Sequence, residues 1–171
     1  MAGLIDELMD TLDKENEEYQ QLLKLAKEKT EIIVRGDIEA LQKITEQEQL
    51  MMDRIAPLEK KRIEYTKDIA TVINRPVETL TITRMMELME SQPAVKNRLS
   101  MLHDKLHDTM REMVRTNDLN QSLLQQQLEL VNFDITLLNS MKQAPLTANY
   151  DKSAYNTEQH LISRGAFDTR Q

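Results

Sequence analysis

His103 and His107 stand four residues apart with Asp104, Asp108 and Glu112 beside them, and on a helix that spacing turns two imidazoles to one face, as zinc requires. The metalloprotease form of the pattern places Glu directly after the first His. Here Asp104-Lys105 follows, and no third cluster of ligands stands elsewhere in the sequence. Such a pair reads more simply as part of a solvated helix face. Di-iron bundle chemistry needs Glu-x-x-His on two helices, whereas the one Glu that precedes a His at short spacing is Glu158. The three Gly are isolated at positions 3, 36 and 165, so there is no phosphate-cradling loop, and no Ser sits in a Gly-flanked elbow. With no Cys either, the residues point away from an enzyme and ask for no metal and no cofactor.

What remains is apolar chemistry on helices. The longest uninterrupted helical signal covers residues 97–141, with no Pro or Gly inside it. At about 100° per residue, Leu124, Leu128, Val131, Ile135 and Leu138 fall in one seam, which Leu106, Met110 and Met113 continue toward the N-terminus. Leu119, Leu123, Leu130, Leu137 and Met141 form a second line, offset by roughly a quarter turn or more. Two readings of that second line stand. In a three-helix bundle one helix touches two neighbours and needs a wide apolar face; alternatively the line is kept for a partner. Asn117 and Asn120 share the inward side with Met113 and Leu124. They either fix register, as polar residues do in coiled coils, or flank a groove where a partner's backbone can be bonded.

Composition agrees with long helices. Charged residues make up 30% of the 171, and only three Gly and four Pro interrupt them. With two Phe, four Tyr and no Trp, Leu, Ile and Met must fill whatever interior forms. The net charge of -7 is spread without a block of Lys and Arg, so neither nucleic acid nor anionic lipid is an expected partner. Asp6, Glu7 and Asp10 interrupt the first dozen residues, which leaves no apolar core for a secretory signal. No stretch approaches the roughly 18 apolar residues that span a bilayer, and zero Cys suits a reducing compartment. A soluble cytoplasmic protein is expected, without membrane insertion.

These segments fall into an ordered set of elements. Ile5, Leu8, Leu12, Tyr19, Leu22, Ala26 and Ile33 predict an amphipathic helix over 4–34, broken only by Glu15 and Lys29. Gly36 suits a left-handed cap and Asp37 an N-cap, and so short a turn sends the next helix back antiparallel. Over 38–73, Leu41, Ile44, Met51, Ile55, Leu58, Tyr65, Ile69 and Val72 keep one seam, interrupted by Glu48 and Arg62 and bent at Pro57. Residues 74–92 read as a linker with one short helix around Leu80, Met85, Met86 and Met89. Pro93 fits the first turn of a last helix that runs to about residue 142. The expected fold is all-α: an elongated, coiled-coil-like antiparallel three-helix bundle over 1–142, followed by a mobile tail over 143–171 with scattered apolar residues.

At this point the chain resembles the FlgN-type flagellar export chaperones. The resemblance is carried by Val34-Arg35-Gly36-Asp37-Ile38-Glu39-Ala40-Leu41 between two long helices, with Glu46-Gln47-Glu48 and Leu58-Glu59-Lys60-Lys61-Arg62 after it. Asn117-Asp118-Leu119-Asn120 leading into Leu123-Leu124, with Phe133 further on, adds a second element. A third, Asn149-Tyr150-Asp151-Lys152-Ser153-Ala154, carries Ala154 where the family leads one to expect Gly. The resemblance implies a cytosolic chaperone for type III flagellar export. Such a protein holds the C-terminal helical region of the hook-associated proteins of the hook-filament junction, prevents their premature assembly and delivers them to the export apparatus. Asn117, Leu119, Asn120, Leu123, Leu130, Leu137, Met141 and Tyr150 are the expected partner-binding residues. The alternative is a structural or regulatory coiled coil that self-associates through the same face, so a second copy of the chain is a further candidate partner.

Overall fold

The computed structural model describes residues 2–143, and all regular structure among them is helical. It comprises α1 (Ala2–Arg35), α2 (Ile38–Val72), a 3-10 turn (Val77–Thr79), α3 (Ile82–Leu88) and α4 (Pro93–Gln143). Three long helices with a short one between the second and third are thus what the chain adopts. Expectations for residues 144–171, the mobile tail and Tyr150 included, lie outside the described residues. The chain forms two compact units, Met1–Leu130 and Val131–Gln171, and the described part of the second is the final stretch of α4.

The first unit begins with a hairpin closed by two residues. Gly36 takes φ +67° with open space where a Cβ would stand. The amides of Gly36 and Asp37 donate to the carbonyls of Ile33 and Ile32 at 3.0 and 3.3 Å, which satisfies the open end of α1. The Asp37 carboxylate accepts from the Ala40 amide at 2.9 Å and caps α2.

Along the hairpin, the four charged residues that interrupt the apolar seams find one another. Arg62 Nε donates to both Glu15 oxygens, at 3.2 and 2.9 Å, and Lys29 Nζ donates to Glu48 Oε2 at 2.7 Å. Both pairs obey one antiparallel register. That register sets Leu8 level with Ile69, Leu22 with Ile55, Ala26 with Met51 and Ile33 with Ile44, all of them buried. Burial raises the Glu15 carboxyl above its ordinary range, against the pull of Arg62. Pro57 lies inside α2, which continues through it. The cost of about 3 kcal/mol for a proline in a helix interior is offset by packing around it, with Ile55 fully buried two residues away.

Helix α4 runs parallel to α1. Arg98 reaches Asp10 at 2.7 Å, Thr109 Oγ1 donates to Asn16 Oδ1 at 3.0 Å, and Asn120 Nδ2 donates to the Ala26 carbonyl at 2.8 Å, so the contacts advance together along both helices. The interior is layered in consequence. One apolar cluster contains Leu8, Leu12, Ile69, Leu99 and Leu102. A polar layer of Glu15, Arg62, Asn16 and Thr109 follows, then a second apolar cluster of Leu22, Ala26, Met51, Ile55 and Met113. Lys29, Glu48, Thr30 and Asn120 make the next polar layer.

The segment between α2 and α4 is more than the linker its short pattern suggests. Leu80, Met85 and Met89 are buried in the first apolar cluster, because α3 turns its methionine face onto α1 and α4 residues. Thr81 caps it by accepting from the Arg84 amide at 3.2 Å.

Two stability tests follow from this packing. Arg62→Leu strands the Glu15 carboxylate and should lower unfolding free energy by about 2–3 kcal/mol, toward the low end for a buried pair because Arg62 is partly exposed; Glu15→Leu with Arg62→Leu should recover most of that in urea titrations. Gly36→Ala should cost about 1 kcal/mol through backbone strain alone, measured in the same way.

Candidate functional site

The site is built on α4, a helix started by Pro93 at its first position, where the missing amide has no partner to lose. Within the first unit its last bond to α1 is made at Asn120, which is 4% exposed. Asn120 donates to the Ala26 carbonyl and its Oδ1 accepts from Thr30 Oγ1 at 2.6 Å. This expected partner-binding residue is therefore an internal tie between α1 and α4, since a buried amide must spend its hydrogen bonds inside the fold. Asn117 does not pair with it; Asn117 is exposed and lines a cleft.

That cleft, of about 720 Å³, lies among α1, α2 and α4. Leu22, Ala26 and Met113 floor it, Met52 stands on the α2 wall, and Leu124 and Leu128 stand on the α4 wall. Asn117, Gln121 and Gln125 line it as well, one helical turn apart. The ion pair of Lys29 and Glu48 closes part of the wall. Sequence reasoning offered a groove flanked by Asn117 and Asn120 as one of two readings, and it missed Gln121 and Gln125. Their recurrence at four and eight residues after Asn117 was the available signal.

Leu119, Leu123 and Leu130 are not brought to the cleft. Leu119 lies among Asp108, Arg111 and Thr116 and is 50% exposed, Leu123 is half-buried, and Leu130 is 55% exposed. The bundle helices therefore leave this line mostly uncovered. The first seam fares similarly: Met113 is buried and Leu106 and Leu124 half-buried, but Met110 and Leu128 are exposed.

In the second unit, taken by itself, every residue of the helix from Val131 to Lys142 is exposed. Val131, Ile135 and Leu138 hold one side, while Phe133, Leu137 and Met141 hold another. Asp134 and Lys142 are the charged residues of that stretch. Surface this apolar and this short of charge is unlike an ordinary solvated helix face.

The two histidines stack, with ring centroids 6.2 Å apart and planes 14° from parallel. His103 Nδ1 lies 3.1 Å from Asp104 Oδ1. Among the described residues no group of three or more His, Asp or Glu side chains is placed to hold a metal ion, and no helix is long and apolar enough to cross a membrane.

A family model described as FlgN protein matches residues 1–158 of the chain. No curated protein and no solved structure matches it.

Asn120→Ala should lower unfolding free energy by about 1–2 kcal/mol, since it removes a buried amide from two bonds. Leu119→Asp, at a half-exposed position, should stay within about 0.5 kcal/mol of the parent. Urea unfolding of the two variants checks that α4 has one inward and one outward line at this level.

Proposed function

Because the chain belongs to the FlgN family of flagellar export chaperones, we propose that it holds the C-terminal helical region of hook-associated proteins in the cytosol and delivers them to the export apparatus. The single observation that supports this reading is the run of exposed apolar side chains on α4. Leu119, Leu128 and Leu130 contribute in the first unit, and Phe133, Leu137 and Met141 in the second. A terminal helix of an assembly protein is amphipathic, and left bare its apolar face would drive early polymerisation. A complementary apolar line on the chaperone covers it as one helix laid along another.

The job needs no catalysis and no cofactor. It needs reversibility, because the client is handed on, and shallow contacts on exposed helix faces suit modest affinity, on the order of micromolar to nanomolar. Asn117, Leu123 and Tyr150 complete the proposed partner-binding set. The segment after α4, with Tyr150, is the part of the chain we assign to contact with client or export apparatus.

The test is capture of a purified hook-associated protein. Leu137→Asp with Met141→Asp should weaken the complex at least about 30-fold, the size of a hot-spot loss, while circular dichroism keeps the parental helix content. A double variant that binds as the parent does, or that unfolds, sinks the assignment. A chain that forms only complexes with itself would favour a self-associating coiled coil instead.

A further inference from the structure

We infer that the cleft among α1, α2 and α4 receives a second stretch of the same client, an amphipathic helix of about four turns whose flanks are uncharged; this rests on the chaperone reading and adds to it a requirement on client chemistry. The cleft runs along α4 from Met113 to Leu128, which at 1.5 Å per residue is about 22 Å of helix axis. Its floor of Leu22, Ala26 and Met113 and its walls of Met52, Leu124 and Leu128 accept an apolar seam repeating every three to four residues.

Charge complementarity decides what flanks that seam. The lining contains two charged groups, Lys29 and Glu48, and they are spent on each other at 2.7 Å, with side chains only 18% and 16% exposed. What is left to meet an incoming flank is the row of amides at Asn117, Gln121 and Gln125. An amide both donates and accepts, so it can bond a hydroxyl, another amide or a backbone group. It cannot neutralise a charge. A Lys or Glu carried into the cleft would lose water without gaining a counter-ion. The neutrality is local: 30% of the whole chain is charged, yet over 116–130 the charged residues are Asp118 and Glu129, neither of which lines the cleft, and the Glu129 carboxylate accepts from Gln125 Nε2 at 3.3 Å.

The experiment uses the full chain and two synthetic peptides of about 14 residues with the same apolar seam. One has Ser, Thr, Asn and Gln on its flanks and the other Glu and Lys. Fluorescence anisotropy should show the neutral peptide binding at least about tenfold tighter, and a purified hook-associated protein should displace it. Gln121→Glu with Gln125→Glu, both exposed positions that leave folding intact, should erase most of that preference and weaken capture of the hook-associated protein about tenfold. Equal binding of the two peptides, or indifference to the glutamine changes, overturns the inference. If those variants still capture the client while Leu137→Asp with Met141→Asp does not, the chaperone reading stands and the cleft falls out of it. If the parent captures no hook-associated protein at all, both fall together. Cross-links from position 121 to residues 144–171 in the absence of peptide would give the cleft to the chain's own C-terminal segment and likewise overturn the assignment.

Discussion

The first unit depends on two ion pairs of opposite sense in one helical seam. Glu15 on α1 meets Arg62 on α2, and two heptads further along Lys29 on α1 meets Glu48 on α2. A slip of one heptad would set Glu15 against Ile55 or Ile69 and Lys29 against Leu41 or Ile55, leaving charges in apolar surroundings. A slip of two heptads would set Glu15 against Glu48, or Lys29 against Arg62. Only the observed register satisfies all four. Such pairs add little net stability over apolar substitutes, because desolvation offsets most of the attraction. Their contribution is to make the alternatives worse, and the two-residue turn at Gly36-Asp37 accommodates the alignment they select. Local turn chemistry and long-range charge pairing agree, which is how a low-contrast helical seam acquires one answer.

The same layers explain how α4 is held without being covered. Thr109 with Asn16, and Asn120 with Ala26 and Thr30, tie α4 to α1 at the two polar levels. Between those levels Met113 supplies apolar contact. Within the first unit, past Asn120, only Leu123, Leu124 and Gln127 of α4 are half-buried, and the rest are exposed. The helix nevertheless continues to Gln143, because each added residue closes a backbone hydrogen bond once a helix is nucleated and this stretch contains no Pro or Gly. Over 131–142, taken by itself, the backbone is helical while every side chain is exposed. A formed helix with exposed apolar side chains is what the proposed helix-binding surface requires.

Much of this was legible in the sequence. Helix limits followed from Gly36, Asp37 and Pro93, and from apolar residues at three- and four-residue spacing, because caps and periodicity are properties of the local backbone. The interruptions Glu15, Lys29, Glu48 and Arg62 were equally visible, as were the two apolar lines of α4. Tertiary structure decided who meets whom. It matched the four interruptions in pairs, buried Met85 and Met89 of an apparent linker, and set Asn120, buried and bonded to α1, apart from the exposed Asn117 on the lining of the same cleft. It also left Leu119 and Leu130 exposed where a wide core face was an equal reading. The reason is geometric. Spacing tells which side chains share a helix face, but burial depends on how far a neighbouring helix extends and at what register it arrives, and that is fixed only when the whole bundle closes.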